Sequence, residues 1–146
     1  MPALTTRAFF GGIPPAVRPA LPAPLRRFKS MQRFSWLVQI YYDDPSLHYE
    51  VWHLGRQREK LEIGLHFESR DRATNDRLLA GFSRHMLEVK QLLGDQFEAE
   101  PWDRGWTKVY ETWPLQPLTR EYLDRVARRL AEVMEALHPI YEHVRG

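Results

Sequence analysis

Two short runs carry the residue types from which a site could be built, His48-Tyr49-Glu50-Val51-Trp52-His53 and Glu62-Ile63-Gly64-Leu65-His66-Phe67-Glu68. Each alternates apolar and polar residues, the two-residue period of a strand with one face in a core. The other face collects His48, Glu50, Glu62, His66 and Glu68. Imidazoles and carboxylates are general acids and bases, and two histidines with a carboxylate form a ligand set used by zinc or non-haem iron. His48, His66, Glu50 and Glu68 are therefore the candidate metal ligands. The spacing H-x-E…H-x-E also has a plainer use, because histidines paired across strands hydrogen-bond to neighbouring carboxylates or tyrosines. No residue is assigned a catalytic role from spacing alone, since catalysis needs a shaped pocket and a shifted pKa.

Whether these groups meet depends on strand register. The turn Asp43-Asp44-Pro45-Ser46 joins a strand over Ser35–Tyr42 to the first run, with an Asx side chain able to bond the backbone ahead. Its length sets Val38 beside Val51 and Gln39 beside Glu50. For the next connection, an even-length loop would place Glu50 among Leu61 and Ile63, at a cost of several kcal/mol for an unpaired carboxylate. An odd loop avoids this. It pairs Val51 with Ile63, Tyr49 with Leu65, Trp52 with Glu62, Glu50 with Gly64, and His48 with His66, whose Cβ atoms then lie about 4.5–5.5 Å apart.

The elements that must carry this sheet follow in order. Thr74 is a candidate N-cap for an amphipathic helix over 75–93, with Leu78, Leu79, Phe82, Met86, Val89 and Leu93 at helical spacing and Gly94 as its stop. Phe97–Trp102 and Trp106–Trp113 form a hairpin about Asp103-Arg104-Gly105, which sets Glu100 beside Lys108 as an exposed pair. Thr119 caps a second helix with the apolar stripe Leu123, Val126, Ala127, Leu130, Val133, Met134 and Leu137, and Pro139 is expected to end or kink it. The expected fold is α+β: an antiparallel sheet of about five strands in the order β-β-β-α-β-β-α, both helices on one face. Residues 31–146 make up this single domain. Residues 1–30, with six of the eleven prolines, read as a proline-rich basic arm unable to form a long helix, although Leu21, Leu25 and Phe28 could equally dock a short turn onto the body.

Residues 59–145 resemble a bacterial domain of unknown function attached to some restriction-endonuclease-like proteins. The similarity is carried by Leu61-Glu62-Ile63, Asn75 opening a helix, Leu93-Gly94 closing it, Glu100-Pro101-Trp102, and a final helix ending near Pro139-Ile140. It implies a small α+β accessory module in a defence context and transfers no catalytic residue.

Composition narrows the functions. The chain has no cysteine, which removes disulfides, thiolate ligands and cysteine nucleophiles and suits a cytoplasmic location. No apolar run approaches the roughly 20 residues of a membrane span, so no membrane partner is expected. The net charge of +2 is uneven, because residues 1–42 hold six basic residues and no acid while the remainder is net acidic. Nucleic acid is therefore not an expected partner of the body. There is no phosphate-binding glycine loop and no Gly-x-Ser-x-Gly elbow, so no cofactor is implied.

With both helices on the Val38, Val51, Ile63 and Val109 face, the opposite face is left open. It displays Tyr41, Trp52, Trp102, Trp106 and Tyr110 among His48, Glu50, Glu62, His66, Glu68 and Lys108. An aromatic-rich patch of that kind marks a partner or ligand site. The leading expectation is a binding or self-association module, a homo-oligomer making contact through this face. The alternative is a small-ligand or metal-dependent enzyme using its His/Glu cluster.

Overall fold

The computed structural model describes residues 2–146. Its centre is one antiparallel sheet of six strands, β1 (Lys29–Arg33), β2 (Leu37–Tyr41), β3 (Leu47–His53), β4 (Lys60–Phe67), β5 (Glu98–Pro101) and β6 (Thr107–Pro114), in the spatial order β1-β2-β3-β4-β6-β5. Four helices accompany it: α1 (Thr6–Val17), α2 (Arg72–Ser83), α3 (Met86–Leu93) and α4 (Arg120–Arg145). The fold is α+β, with one strand and two helices more than the sequence led us to expect.

Alternation sorts the sheet. Val38 and Ile40, Tyr49 and Val51, Leu61, Ile63, Leu65 and Phe67, and Val109 all enter one core with the apolar stripes of the helices. The pairings Val38↔Val51, Gln39↔Glu50, Val51↔Ile63, Glu50↔Gly64 and His48↔His66 hold as expected. The hairpin pairs Glu100↔Lys108 and Ala99↔Val109 are also those read from the sequence.

The N-terminal segment departs most from expectation. Instead of an irregular arm, Thr6–Val17 is a helix with Pro14 and Pro15 inside it, capped by the Thr5 side chain. An interior proline costs about 3 kcal/mol. Phe9, Phe10, Ile13 and Val17, at helical spacing, are fully buried, and each contributes about 1.5–3 kcal/mol. Burial of this stripe outweighs the two prolines. Phe9 stacks on Tyr122 of α4, and the Leu4 amide donates to the Leu118 carbonyl, so the segment is part of the core. The chain then runs through two short 3-10 turns into β1, at the sheet edge.

Two helix expectations are corrected as well. The helix expected over 75–93 is two: the Asp71 carboxylate, not Thr74, caps α2 at the Ala73 amide, and the chain bends at Arg84-His85 before α3. Ser83 donates its hydroxyl back to the Leu79 carbonyl, a bond that bends helices. Pro139 does not end α4, which continues to Arg145. The buried Ile140 and Tyr141 hold its last turns against the core. The Thr119 cap is as expected, accepting from the Tyr122 amide. Among the described residues no helix is long and apolar enough to cross a membrane.

Candidate functional site

The polar face of the sheet is not open. Gln39, His48, Glu50, Glu62, His66 and Lys108 are all buried on it, which corrects the expectation of an exposed surface. The turn before β3 begins the site. Asp44 Oδ1 accepts from both the amide and the hydroxyl of Ser46, fixing the Asp44-Pro45-Ser46 turn. That turn presents the Pro45 carbonyl 2.8 Å from His48 Nδ1. A carbonyl only accepts, so Nδ1 carries the proton and a neutral His48 has its lone pair on Nε2. Nε2 faces carboxylate oxygens, Glu50 Oε1 at 3.0 Å and Glu68 Oε2 at 3.7 Å. Lone pair and carboxylate oppose one another unless a proton or cation lies between them.

His66 repeats the arrangement from β4. Its Nε2 lies 2.6 Å from Glu62 Oε2 and 3.4 Å from Glu50 Oε2, and its Nδ1 lies 3.0 Å from Glu68 Oε2. The two imidazoles stack, with centroids 5.8 Å apart. Glu68, one residue beyond β4, is positioned by its amide, which donates to the Ser46 carbonyl at 2.8 Å. Gln39 donates to Glu50 Oε1 at 3.3 Å.

Charge is concentrated here. Burial alone would pull the His66 imidazolium down, but Glu50, Glu62 and Glu68 outweigh it and push its pKa up to about 10. Burial raises the Glu50 carboxyl, and the charge of His66 with hydrogen bonds from His48 and Gln39 reverses this, leaving it below the ordinary value. Lys108 does not pair with Glu100, as the hairpin register suggested. Its Nζ reaches Glu62 Oε1 at 2.6 Å, while Glu100 accepts from the Tyr110 hydroxyl. Gly64 lies between Glu62 and His66 on this face. A Cβ there would fall 2.5 Å from the Val109 carbonyl, so the strand approach requires glycine.

In front of the cluster is a cleft of about 460 Å³. His48, Glu50 and Glu68 form its polar floor, and Trp52, Trp102, Trp106 and Phe34 stand among its walls. Trp102 is the central wall, edge-on to His66 at 5.5 Å and tilted against Trp52 and Trp106. Of the residues expected on this face, Glu62, His66 and Lys108 lie behind the floor, and Tyr41 and Tyr110 are half-buried but do not line the cleft. Arg33, Phe34, Leu37, Pro45 and Ser46 line it and were not foreseen. Arg33 and Phe34 belong to β1 and its turn, hidden by reading residues 1–30 as an arm and starting the sheet at Ser35. Phe34 adopts a left-handed backbone (φ 58°), an unusual turn for a non-glycine residue that its sequence does not announce.

Donor atoms of His48, Glu50, His66 and Glu68 lie within 4.8 Å of one another. No family model, curated protein or solved structure matches this chain. What the cluster can do rests on its own geometry. Small side-chain movements bring such a set onto the roughly 2.0–2.2 Å bonds of a divalent ion. Each ring also has the outer partner that orients a ligating histidine: Pro45 carbonyl for His48 Nδ1, and the Lys108-paired Glu62 for His66 Nε2.

Proposed function

We propose that this chain is a metal-dependent small-ligand protein, binding a divalent transition metal through His48 Nε2, His66 Nδ1, Glu68 and Glu50. One observation carries the reading: with the Nδ1 proton of His48 committed to the Pro45 carbonyl, its Nε2 faces two carboxylates, a contact that only a proton or another cation between them can satisfy. A divalent ion answers that opposition and replaces the positive charge that imidazolium would otherwise supply. Mixed imidazole and carboxylate donors suit zinc, iron or manganese better than calcium. Such an ion binds and polarises a ligand oxygen, which is the basis of metal-assisted catalysis.

Metal analysis of protein purified without a histidine tag tests this. About one equivalent per chain is expected for the wild type after growth or reconstitution with zinc, iron or manganese, and a negligible amount for His48→Ala and His66→Ala. Equal, negligible content in all three ends the proposal.

A second reading keeps the aromatic rim as a contact between two copies. It is favoured by Phe34, 66% exposed, stacked on the exposed Trp36 beside the cleft mouth. Light scattering on the wild type and on Phe34→Glu separates the two, since a monomer in both removes self-association through the rim.

A further inference from the structure

The direction from which a bound ion is approached follows from burial. His66 has no exposed surface and lies behind the floor, whereas His48, Glu50 and Glu68 line the cleft. An ion among the four has His66 at its back and the cleft at its front. Its remaining coordination position therefore opens into the aromatic walls rather than to bulk water.

Three features define what fits there. The walls are indole and phenyl rings from Trp52, Trp102, Trp106 and Phe34, a surface that favours a flat, apolar body. Arg33 is the arginine in the lining, and its side chain has no ion pair or hydrogen bond among the described residues. Its exposed guanidinium matches a carboxylate or similar anion in a two-pronged geometry. Trp102 Nε1 is, among the described residues, the one buried side-chain polar atom lacking a hydrogen-bond partner. A donor in that condition calls for an oxygen acceptor nearby.

On the metal reading above, we infer that the cleft takes a planar aromatic acid, its ring against the tryptophan wall, its anionic group at Arg33 and an oxygen donor directed to the metal. The acidic floor alone would repel such a ligand. Metal binding comes first, since the ion offsets the carboxylate charge of the floor and offers the position that the ligand oxygen takes.

Cobalt(II) titration of the full chain provides the test, with 4-hydroxybenzoate as the probe, phenol lacking its carboxylate and acetate lacking its ring. The expected result is a cobalt absorption spectrum that shifts on adding 4-hydroxybenzoate, with quenched tryptophan fluorescence. Affinity for phenol and for acetate should be roughly tenfold weaker or worse, the size of one lost charged hydrogen bond or of the lost ring burial. Arg33→Ala should take up cobalt normally and bind 4-hydroxybenzoate no better than phenol. Arg33 is an exposed edge-strand residue, so its loss leaves the fold intact. Failure of the wild type to take up cobalt overturns the metal reading and this inference together. Cobalt uptake with a spectrum unmoved by the probe overturns this inference alone. So does equal affinity of the probe for metal-free and cobalt-loaded protein, or an Arg33→Ala variant that binds it as the wild type does.

Discussion

The protein buries carboxylates on both sides of its sheet, and the two sites are built to opposite rules. On the helix side, Glu111 faces Arg129 of α4, with Nε to Oε2 at 2.6 Å and Nη2 to Oε1 at 3.0 Å, while Gln96 donates to Oε1 at 2.6 Å. Arg129 also donates to the Leu93 carbonyl, closing α3 onto α4. Here each carboxylate oxygen has a donor, and the buried charge of Glu111 is met by the guanidinium of Arg129. On the other side, three carboxylates share two imidazoles and one ammonium, and ring nitrogens point where protons are not guaranteed. The first arrangement is a fastener. The second has capacity for another cation, and it alone opens onto a cleft.

That contrast can be broken experimentally, most forcefully at the fastener. Arg129→Ala strands the buried Glu111 charge and should cost about 3 kcal/mol or more in urea denaturation, with metal uptake unchanged. A parallel loss of metal would mean that the two sites are one system. Next in size is stabilisation by the ion itself. At a hundredfold excess over its dissociation constant a metal adds about 2.7 kcal/mol to the wild type, and Arg129→Ala should gain the same increment while His48→Ala gains none.

A different effect separates the sites by pH in metal-free protein. The His66 pKa is about 10 in the fold against 6.5 for the free side chain, so its contribution is complete below 6.5 and is lost as pH rises toward 10. The lowered Glu50 carboxyl acts at the acid end, its contribution present above the ordinary carboxylate value and lost as pH falls through the lowered one. Urea midpoints should therefore decline between pH 6.5 and 10, and His66→Gln should flatten that limb. The guanidinium of Arg129 stays charged throughout and contributes no such slope. The least effect on stability is expected from Glu68→Gln, within about 1 kcal/mol because this side chain sits at the partly exposed edge of the cluster. Its metal content should nevertheless fall, and a large loss of stability with metal retained would reassign Glu68 from ligand to fastener.

The sequence made the inner strands readable for a specific reason. Moving Glu50 by one residue would have placed it beside Ile63, and that penalty selected the loop parity and hence His48 opposite His66. What the alternation could not reveal was depth. Glu50 is buried after all, on the polar side, compensated by His48, His66 and Gln39. Glu111 escaped notice because an acidic residue on the apolar side violates the same pattern, and its partner Arg129 is eighteen residues away in another element. Lys108 was given the right neighbour across the hairpin but the wrong ion pair, since a long side chain chooses among all carboxylates within reach. The helix α1 was hidden by its prolines, whose local preference is overruled only by contacts with α4 that no local window contains.

Those contacts tie the α1 segment to the α4 segment. Phe9 rests on Tyr122, and Leu4 is held by Leu118, more than a hundred positions downstream. During synthesis the greasy stripe of α1 leaves the ribosome long before its receptor exists, so the domain can close only after the last helix has emerged. The apolar face of α1 therefore stays unshielded until α4 has been made.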